Sequence, residues 1–180
     1  KTDKGGVKGL PNGGNTCYIN TVIQCIFSCE LFSDYMKKCT TNDNKSLILE
    51  NINEIMLSTT YKTTLKNYEQ LVKILQRKIP SIDINEHNDI HEFTLLLFNV
   101  INEEISISVS DTNRNLLVGT KSTGHITNSL SNLYKKCNTN WFNSIKKEYS
   151  QFNMFFTGQW INQLICGYCN KIHHNYEIFK

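Results

Sequence analysis

Residues Gly9 to Gln24 read Gly-Leu-Pro-Asn-Gly-Gly-Asn-Thr-Cys-Tyr-Ile-Asn-Thr-Val-Ile-Gln. The first half of this stretch is rich in Pro, Gly and Asn, which break regular structure and favour a loop. From Cys17 onward, apolar residues recur at the spacing of one helix face: Ile19, Val22, Ile23, Ile26 and Phe27. The stretch therefore predicts a loop that ends at Cys17 and an amphipathic helix that Asn15 or Thr16 caps.

A cysteine in the first turn of a helix suits nucleophilic chemistry. The unpaired amide N–H groups and the positive end of the helix dipole both favour a thiolate over a thiol there. Asn12, five residues upstream of Cys17, can hold its side-chain amide beside the sulfur and donate a hydrogen bond to a developing oxyanion. Taken alone, Cys17 is better interpreted as a buried structural thiol, which is what most unpaired cysteines are.

The complete motif removes much of that ambiguity. Gly-Leu-x-Asn-x-Gly-Asn-Thr-Cys-Tyr-x-Asn, ending in Gln24, closely resembles the cysteine box of the ubiquitin-specific proteases. The resemblance is long and specific. It implies that Cys17 is the nucleophile and that Asn12 helps to stabilise the oxyanion.

Composition and charge set the class of protein. A chain of 180 residues with 39% hydrophobic residues is long and apolar enough for one globular domain with a core. The formal charge of +3, with dispersed Lys and Arg, does not indicate nucleic-acid binding. No run approaches the ~18 apolar residues that span a membrane, and the first six residues are polar, unlike a signal peptide. We therefore expect an intracellular protein, cytoplasmic or nuclear, with no membrane contact.

The cysteines do not predict a disulfide framework. There are seven of them, unevenly spread in a chain without secretory context. Cys25 and Cys29 lie four residues apart on the first helix. We expect them to be small buried side chains, with a shared metal as the alternative.

Apolar periodicity predicts a chain that begins helical and ends in strands. The predicted helices after the first cover residues 31–38, 47–56, 68–79, 88–104 and 141–150, the last capped by residues 138–140. Polar segments at 40–45, 81–88 and 106–115 predict loops. Two β-prone runs follow, Met154 to Ile165 and Ile172 to Phe179. There is no internal repeat and no linker that divides the chain.

The segment His87 to Phe93, reading His-Asn-Asp-Ile-His-Glu-Phe, opens one of these helices. Physical reasoning alone makes Asn88 or Asp89 a helix cap and Glu92 a first-turn carboxylate that the dipole favours. The segment also resembles the family's Gln-Gln-Asp-Ala-His-Glu-Phe box, with both glutamines replaced. That resemblance implies that Asp89 binds the basic tail of ubiquitin.

Two histidines are candidates for the general base that a thiol protease needs. His91 lies in the second box, and His125 follows Gly124. The resemblance argues against both, because the family's catalytic histidine lies in a Gly-His-Tyr motif that follows the zinc-binding cysteines. The same resemblance places that histidine, and the Asp or Asn that orients it, beyond Lys180.

Cys166-x-x-Cys169 lies between the two β-prone runs and has the form of a zinc knuckle, in which one turn presents two thiolates to a metal. Tetrahedral zinc needs four ligands. His173 and His174 could contribute, but we interpret them as ordinary strand residues. The preceding Phe156-Thr157-Gly158 resembles the start of the family's fingers region, where a second Cys-x-x-Cys closes the zinc site. A nucleic-acid zinc knuckle is the competing interpretation, and no basic cluster near Cys166 supports it.

The resemblance implies an α+β, papain-like cysteine protease fold. Residues 1–180 would then form part of the catalytic domain: a helical thumb over about 1–150 and the first strands of the fingers over about 151–180, with the palm largely absent. The implied activity is hydrolysis of the isopeptide or peptide bond after the C-terminal glycine of ubiquitin. It needs no catalytic cofactor, a structural zinc is conceivable, and the partners are ubiquitin and ubiquitinated proteins. We expect the 180 residues to be inactive without sequence beyond Lys180. The alternatives are a non-catalytic ubiquitin-binding scaffold and a protease for another ubiquitin-like modifier.

Overall fold

The computed structural model describes residues 9–39, 46–110 and 128–180. The chain divides into two compact units, Lys1–Ile105 and Ser106–Lys180. The described part of the first unit is helical, and that of the second combines helices with a β-hairpin. The predicted α+β class is therefore confirmed. The predicted division into thumb and fingers near residue 150 stays a prediction.

The first unit contains five helices in its described residues. They are α1 (Cys17–Ser28), α2 (Glu30–Cys39), α3 (Leu47–Leu57), α4 (Tyr61–Lys78) and α5 (Ile90–Ile105). The predictions from apolar spacing are confirmed for each of them, with α4 beginning before its apolar stripe because Thr60 caps it, accepting from the Thr63 amide at 3.3 Å. The predicted loop at 40–45 lies outside the described residues.

The core of the first unit is built from the apolar faces that the sequence pattern marks. Helices α3 and α4 pack as an antiparallel pair joined by a short connection, and α1 packs against α5. Each fully buried aliphatic or aromatic side chain there contributes about 1.5–3 kcal/mol relative to an exposed one. The most completely buried are Ile19, Ile23, Phe32, Ile48, Ile52, Ile55, Leu71, Ile74, Leu75, Phe93, Leu97 and Ile101.

A polar network holds three of these helices together. The Ser46 hydroxyl accepts from the Leu49 amide at 3.2 Å, as the N-cap of α3, and donates to Glu104 Oε2 at 2.5 Å. Glu104 Oε1 also pairs with Lys78 Nζ at 3.0 Å. Because Glu104 is largely buried, with 15% of its side chain exposed, the network fixes the end of α5 against α3 and α4.

The second unit begins its described helices with α6 (Asn128–Ile145), and here one prediction is wrong. The sequence predicts a helix over residues 141–150 with caps at 138–140, whereas those polar residues lie inside a longer helix. The Thr139 hydroxyl donates to the Lys135 carbonyl at 2.8 Å, so it bonds the preceding turn instead of capping a new helix. Tyr149 instead pairs with Ile107 in an isolated antiparallel bridge.

The start of the predicted strand at Met154 is also wrong. Residues Gln151–Phe156 form a short helix, α7, because the Ser150 hydroxyl accepts from the Asn153 amide at 2.9 Å. The ring centroids of Phe152 and Phe156 then lie 5.1 Å apart, across one helical turn. Apolar residues without clear alternation fit either a strand or a buried helix segment, and the cap decides for the helix.

Strands β1 (Gly158–Ile165) and β2 (Ile172–Phe179) form an antiparallel hairpin, in register from Gly158 opposite Phe179 to Ile165 opposite Ile172. The Phe179 ring lies directly over Gly158, so that a Cβ at this position would collide with it. Trp160 stacks on the same ring at 4.9 Å. A side chain at Gly158 would therefore require the Phe179 ring, which is 41% exposed, to move.

The described cysteines Cys17, Cys25, Cys29, Cys137, Cys166 and Cys169 are all free thiols. Cys25 is exposed and Cys29 half-buried, so the expectation that both are buried is wrong: apolar residues already fill the inner face of α1. In the described part of the chain, no helix is long and apolar enough to cross a membrane.

Candidate active site

Cys17 is the first residue of α1 and its side chain is exposed. The prediction of a loop that delivers this thiol to a helix N-terminus is confirmed. Helix geometry leaves the amides of the first turn without intrahelical partners. The first helical hydrogen bond runs from the Asn20 amide to the Thr16 carbonyl, at 3.0 Å.

Asn15 ties the cysteine loop to the loop before α5. Its amide donates to the Ile84 carbonyl at 3.1 Å, and its Nδ2 donates to the Asn85 carbonyl at 2.7 Å. Gly14 makes this approach possible, because its φ is +136° and an added Cβ would lie 3.3 Å from the Ile84 oxygen. An L side chain is strained at such a φ.

The partner loop is itself held by hydrogen bonds. Asp83 Oδ1 accepts from the amide and from Nδ2 of Asn85, both at 2.9 Å. Asn88 Nδ2 donates to the carbonyls of Asp83 and Glu86 at 2.8 and 3.1 Å. The carbonyls that receive Asn15 are thus fixed before α5 begins.

Asn20 provides a second restraint on the cysteine loop. Its Nδ2 donates to the Pro11 carbonyl at 2.9 Å, which ties the start of the loop back onto α1. The sequence predicts a capping role for Asn15 and no role for Asn20. The signal that points to these loop bonds is the number of asparagines in the motif, since asparagine side chains bond backbone groups of turns.

Thr16 occupies the N-cap position of α1, but its side chain makes no capping hydrogen bond. Its hydroxyl instead donates to Asn12 Oδ1 at 3.1 Å. Omitting a side-chain cap costs a helix about 1 kcal/mol. In the helices whose caps the structure describes, the other N-cap side chains all bond the first turn: Ser46, Thr60, Asp89 and Ser150.

Two buried tyrosines lie behind the cysteine loop. Burial raises the pKa of Tyr18, which the Asn88 side chain opposes. Burial likewise raises the pKa of Tyr68, opposed by the Thr16 side chain and reinforced by Cys17. The Tyr18 ring meets Phe93 edge to face at 5.1 Å, joining α1 to α5. Both phenols are therefore neutral groups beneath the site.

Asp89 caps α5 as predicted: its Oδ1 accepts from the Glu92 amide at 2.9 Å. The residue is exposed and the cap uses one carboxylate oxygen. His91 lies in the first turn of the same helix, also exposed. His125 lies outside the described residues.

In the second unit, Cys166 and Cys169 lie in the turn between β1 and β2, and both are exposed. The Asn170 amide donates to the Cys166 carbonyl at 2.8 Å, and Asn170 adopts a φ of 53° to close the turn. Backbone hydrogen bonds from Cys169 and Tyr168, with a further contribution from the Cys169 side chain, lower the pKa of the Cys166 thiol. A turn that stabilises a thiolate in this way suits metal ligation.

The rest of a metal site does not assemble in the described residues. No group of three or more His, Cys, Asp or Glu forms there that could hold a metal. His173 and His174 pair with Leu164 and Gln163 in the hairpin, as predicted for strand residues. The Cys-x-x-Cys turn presents two thiols, whereas tetrahedral zinc needs four ligands.

Comparison with known proteins decides the family. A sequence model described as ubiquitin carboxyl-terminal hydrolase matches residues 8–179. The chain belongs to this family. The match includes the cysteine loop, the start of α5 and the Cys-x-x-Cys turn.

Individual relatives agree with this assignment. The chain is 28% identical over 190 residues to ubiquitin carboxyl-terminal hydrolase 7 of Saccharomyces cerevisiae, covering 96% of this chain and 17% of that protein. It is 25% identical over 190 residues to ubiquitin carboxyl-terminal hydrolase 4 of Candida glabrata, covering 96% and 21%. It is 27% identical over 132 residues to ubiquitin carboxyl-terminal hydrolase 46 of Caenorhabditis elegans, covering 68% and 31%. The chain thus spans less than a third of the length of these hydrolases.

Proposed function

We propose that this chain carries the nucleophile of a deubiquitinating thiol protease, which hydrolyses the isopeptide or peptide bond after the C-terminal glycine of ubiquitin. The observation that carries the proposal is the loop at α1: an exposed thiol on the first helical residue, preceded by Thr16, whose hydroxyl donates to Asn12 Oδ1. Family membership over residues 8–179 supports the same reaction.

The proposed reaction begins with attack by the Cys17 thiolate on the glycine carbonyl. The negative charge that develops on the carbonyl oxygen is stabilised by Asn12 Nδ2 and by the free amides of the first turn of α1. Collapse of the tetrahedral intermediate breaks the C–N bond, and the leaving amine takes a proton from an imidazole. Water then hydrolyses the thioester, releasing the ubiquitin carboxylate and regenerating Cys17.

Following the resemblance to the family, we place that imidazole outside residues 1–180. We assign Asp89 to the basic tail of ubiquitin, because its exposed carboxylate has an oxygen, Oδ2, that the α5 cap does not use. In the same scheme the helical part of the chain is the thumb, and the hairpin of β1 and β2 begins the fingers.

A fluorogenic amide of ubiquitin tests the proposed function. We expect the full-length protein to turn it over and to be captured at Cys17 by ubiquitin that carries a C-terminal electrophile. We expect residues 1–180 alone to show no turnover, because the leaving amine would lack its proton donor. The matched control is a set of other ubiquitin-like modifiers with the same leaving group.

Each other outcome contradicts part of the proposal. Binding of ubiquitin without capture by the full-length protein would indicate a non-catalytic scaffold, and faster turnover of another modifier would reassign the substrate. Robust turnover by residues 1–180 would assign the base to His91 or His125 instead.

We also propose a structural zinc at the Cys166–Cys169 turn, with two further ligands from elsewhere in the protein. Its support is the exposed thiol pair and the lowered pKa of Cys166. We expect metal analysis of the full-length protein to find about one Zn²⁺ per chain and the double substitution Cys166→Ser, Cys169→Ser to remove it. Cys25→Ser, at another exposed cysteine, should retain the zinc; a native protein without zinc would refute the site.

A further inference from the structure

We infer that Thr16 is a positioning residue that determines which end of the Asn12 amide faces the reacting carbonyl. The inference rests on the proposed function, since it concerns the oxyanion of the proposed reaction.

An asparagine amide presents a different group at each end. Its Nδ2 is a donor and its Oδ1 an acceptor, so a side chain turned over by 180° would place an oxygen against an oxyanion and repel it. The Thr16 hydroxyl donates to Oδ1 at 3.1 Å. The amide oxygen is thereby held on Thr16, which leaves the Nδ2–H donors for another acceptor. Asn12 is exposed, and so is the Cys17 thiol that follows Thr16 in the chain.

A hydroxyl can either donate or accept. An amide oxygen only accepts, so the Thr16 proton points at Asn12 Oδ1 in the observed contact.

Two further observations separate this arrangement from ordinary loop packing. Thr16 forgoes the capping bond that the other described N-cap side chains make. It is also 1% exposed, so that its hydroxyl has little access to water. The hydroxyl of Thr16, as well as its shape, thus explains why the motif has a threonine at this position.

The test uses the full-length protein and a fluorogenic ubiquitin amide. Thr16→Val keeps the shape and removes the hydroxyl, and we expect kcat to fall about 10-fold with KM unchanged, as for a lost hydrogen bond that matters in the transition state. Thr16→Ser restores the hydroxyl and should return kcat to within about 2-fold of the parent.

Two controls separate positioning from a structural role. Alkylation of Cys17 by iodoacetamide, followed on its peptide by mass spectrometry, forms no oxyanion, so Thr16→Val should leave its rate unchanged. A C-terminal ubiquitin aldehyde forms a tetrahedral adduct, so its affinity should fall about 10-fold with kcat. In an Asn12→Ala background, Thr16→Val should have less than about a 2-fold effect.

The outcomes are separable from those of the proposed function. Slower alkylation in Thr16→Val, or a full loss that persists in the Asn12→Ala background, would overturn the positioning role. So would an active parent with a Thr16→Val variant of equal kcat. A parent with no turnover would instead overturn the proposed function. If Thr16→Val does not fold, Thr16→Ala takes its place with Thr16→Ser as the control: a Thr16→Ala variant with the kcat of Thr16→Ser refutes the positioning role.

Discussion

Replacing Cys17 with alanine is expected to lower turnover of a ubiquitin amide by at least about 10⁵-fold, because no other group can form the acyl intermediate. Binding of ubiquitin should persist, since Asp89 and the surrounding loops are unchanged. Turnover is measured with the full-length protein, and binding by titration with unmodified ubiquitin.

Cys25→Ala is the matched control for this variant. Cys25 is another exposed, free thiol on α1, about two turns further from the N-terminus of the helix. Its loss should leave turnover within about 2-fold of the parent. If both variants were equally active, the nucleophile would lie elsewhere and the proposed reaction would be wrong.

Replacing Asn12 with alanine is expected to lower kcat by about 10²–10³-fold with little change in KM, the usual effect of removing one oxyanion donor. The side chain is exposed on the loop, so its truncation leaves no cavity in the core. Steady-state kinetics on the ubiquitin amide provides the measurement, and the rate of Cys17 alkylation reports whether the thiol remains in place.

Asn12→Asp tests whether the Asn12 side chain acts as a hydrogen-bond donor. Aspartate has nearly the same shape and can still accept the Thr16 hydrogen bond, but it has no donor and brings a negative charge. We expect it to be at least as damaging as alanine. An Asn12→Asp variant with near-parent kcat would show that the side chain only supports the loop.

The parts of the site that depend on local sequence were predictable. A cap residue before an apolar stripe places Asp89 at the start of α5, and the Pro- and Gly-rich stretch places Cys17 at the start of α1. Both signals act within one turn of the chain. They do not require knowledge of what the helix packs against.

The rest required contacts between distant residues. The bond from Asn15 to the Asn85 carbonyl joins positions 70 apart, and no propensity of either residue predicts it. Local polar residues also give a wrong prediction. Thr139 has the residue type of a helix cap, yet it lies inside α6, where its hydroxyl bonds the Lys135 carbonyl. The sequence does not predict the cap at Ser150, because the aromatic residues after it fit a strand as well as a helix.

Asn15 bonds the Ile84 and Asn85 carbonyls and so forms a clamp on the cysteine loop. This clamp has a consequence for inactivation by heat. Asn15 and Asn85 lie on surface loops and are joined by a hydrogen bond. Such bonds open at a lower free energy than helices with buried faces, such as α3 and α4. Opening this clamp frees the segment between Asn12 and Cys17, in which Gly14 can adopt many backbone conformations. Catalytic competence should therefore vanish on warming while the far-ultraviolet helical signal still persists.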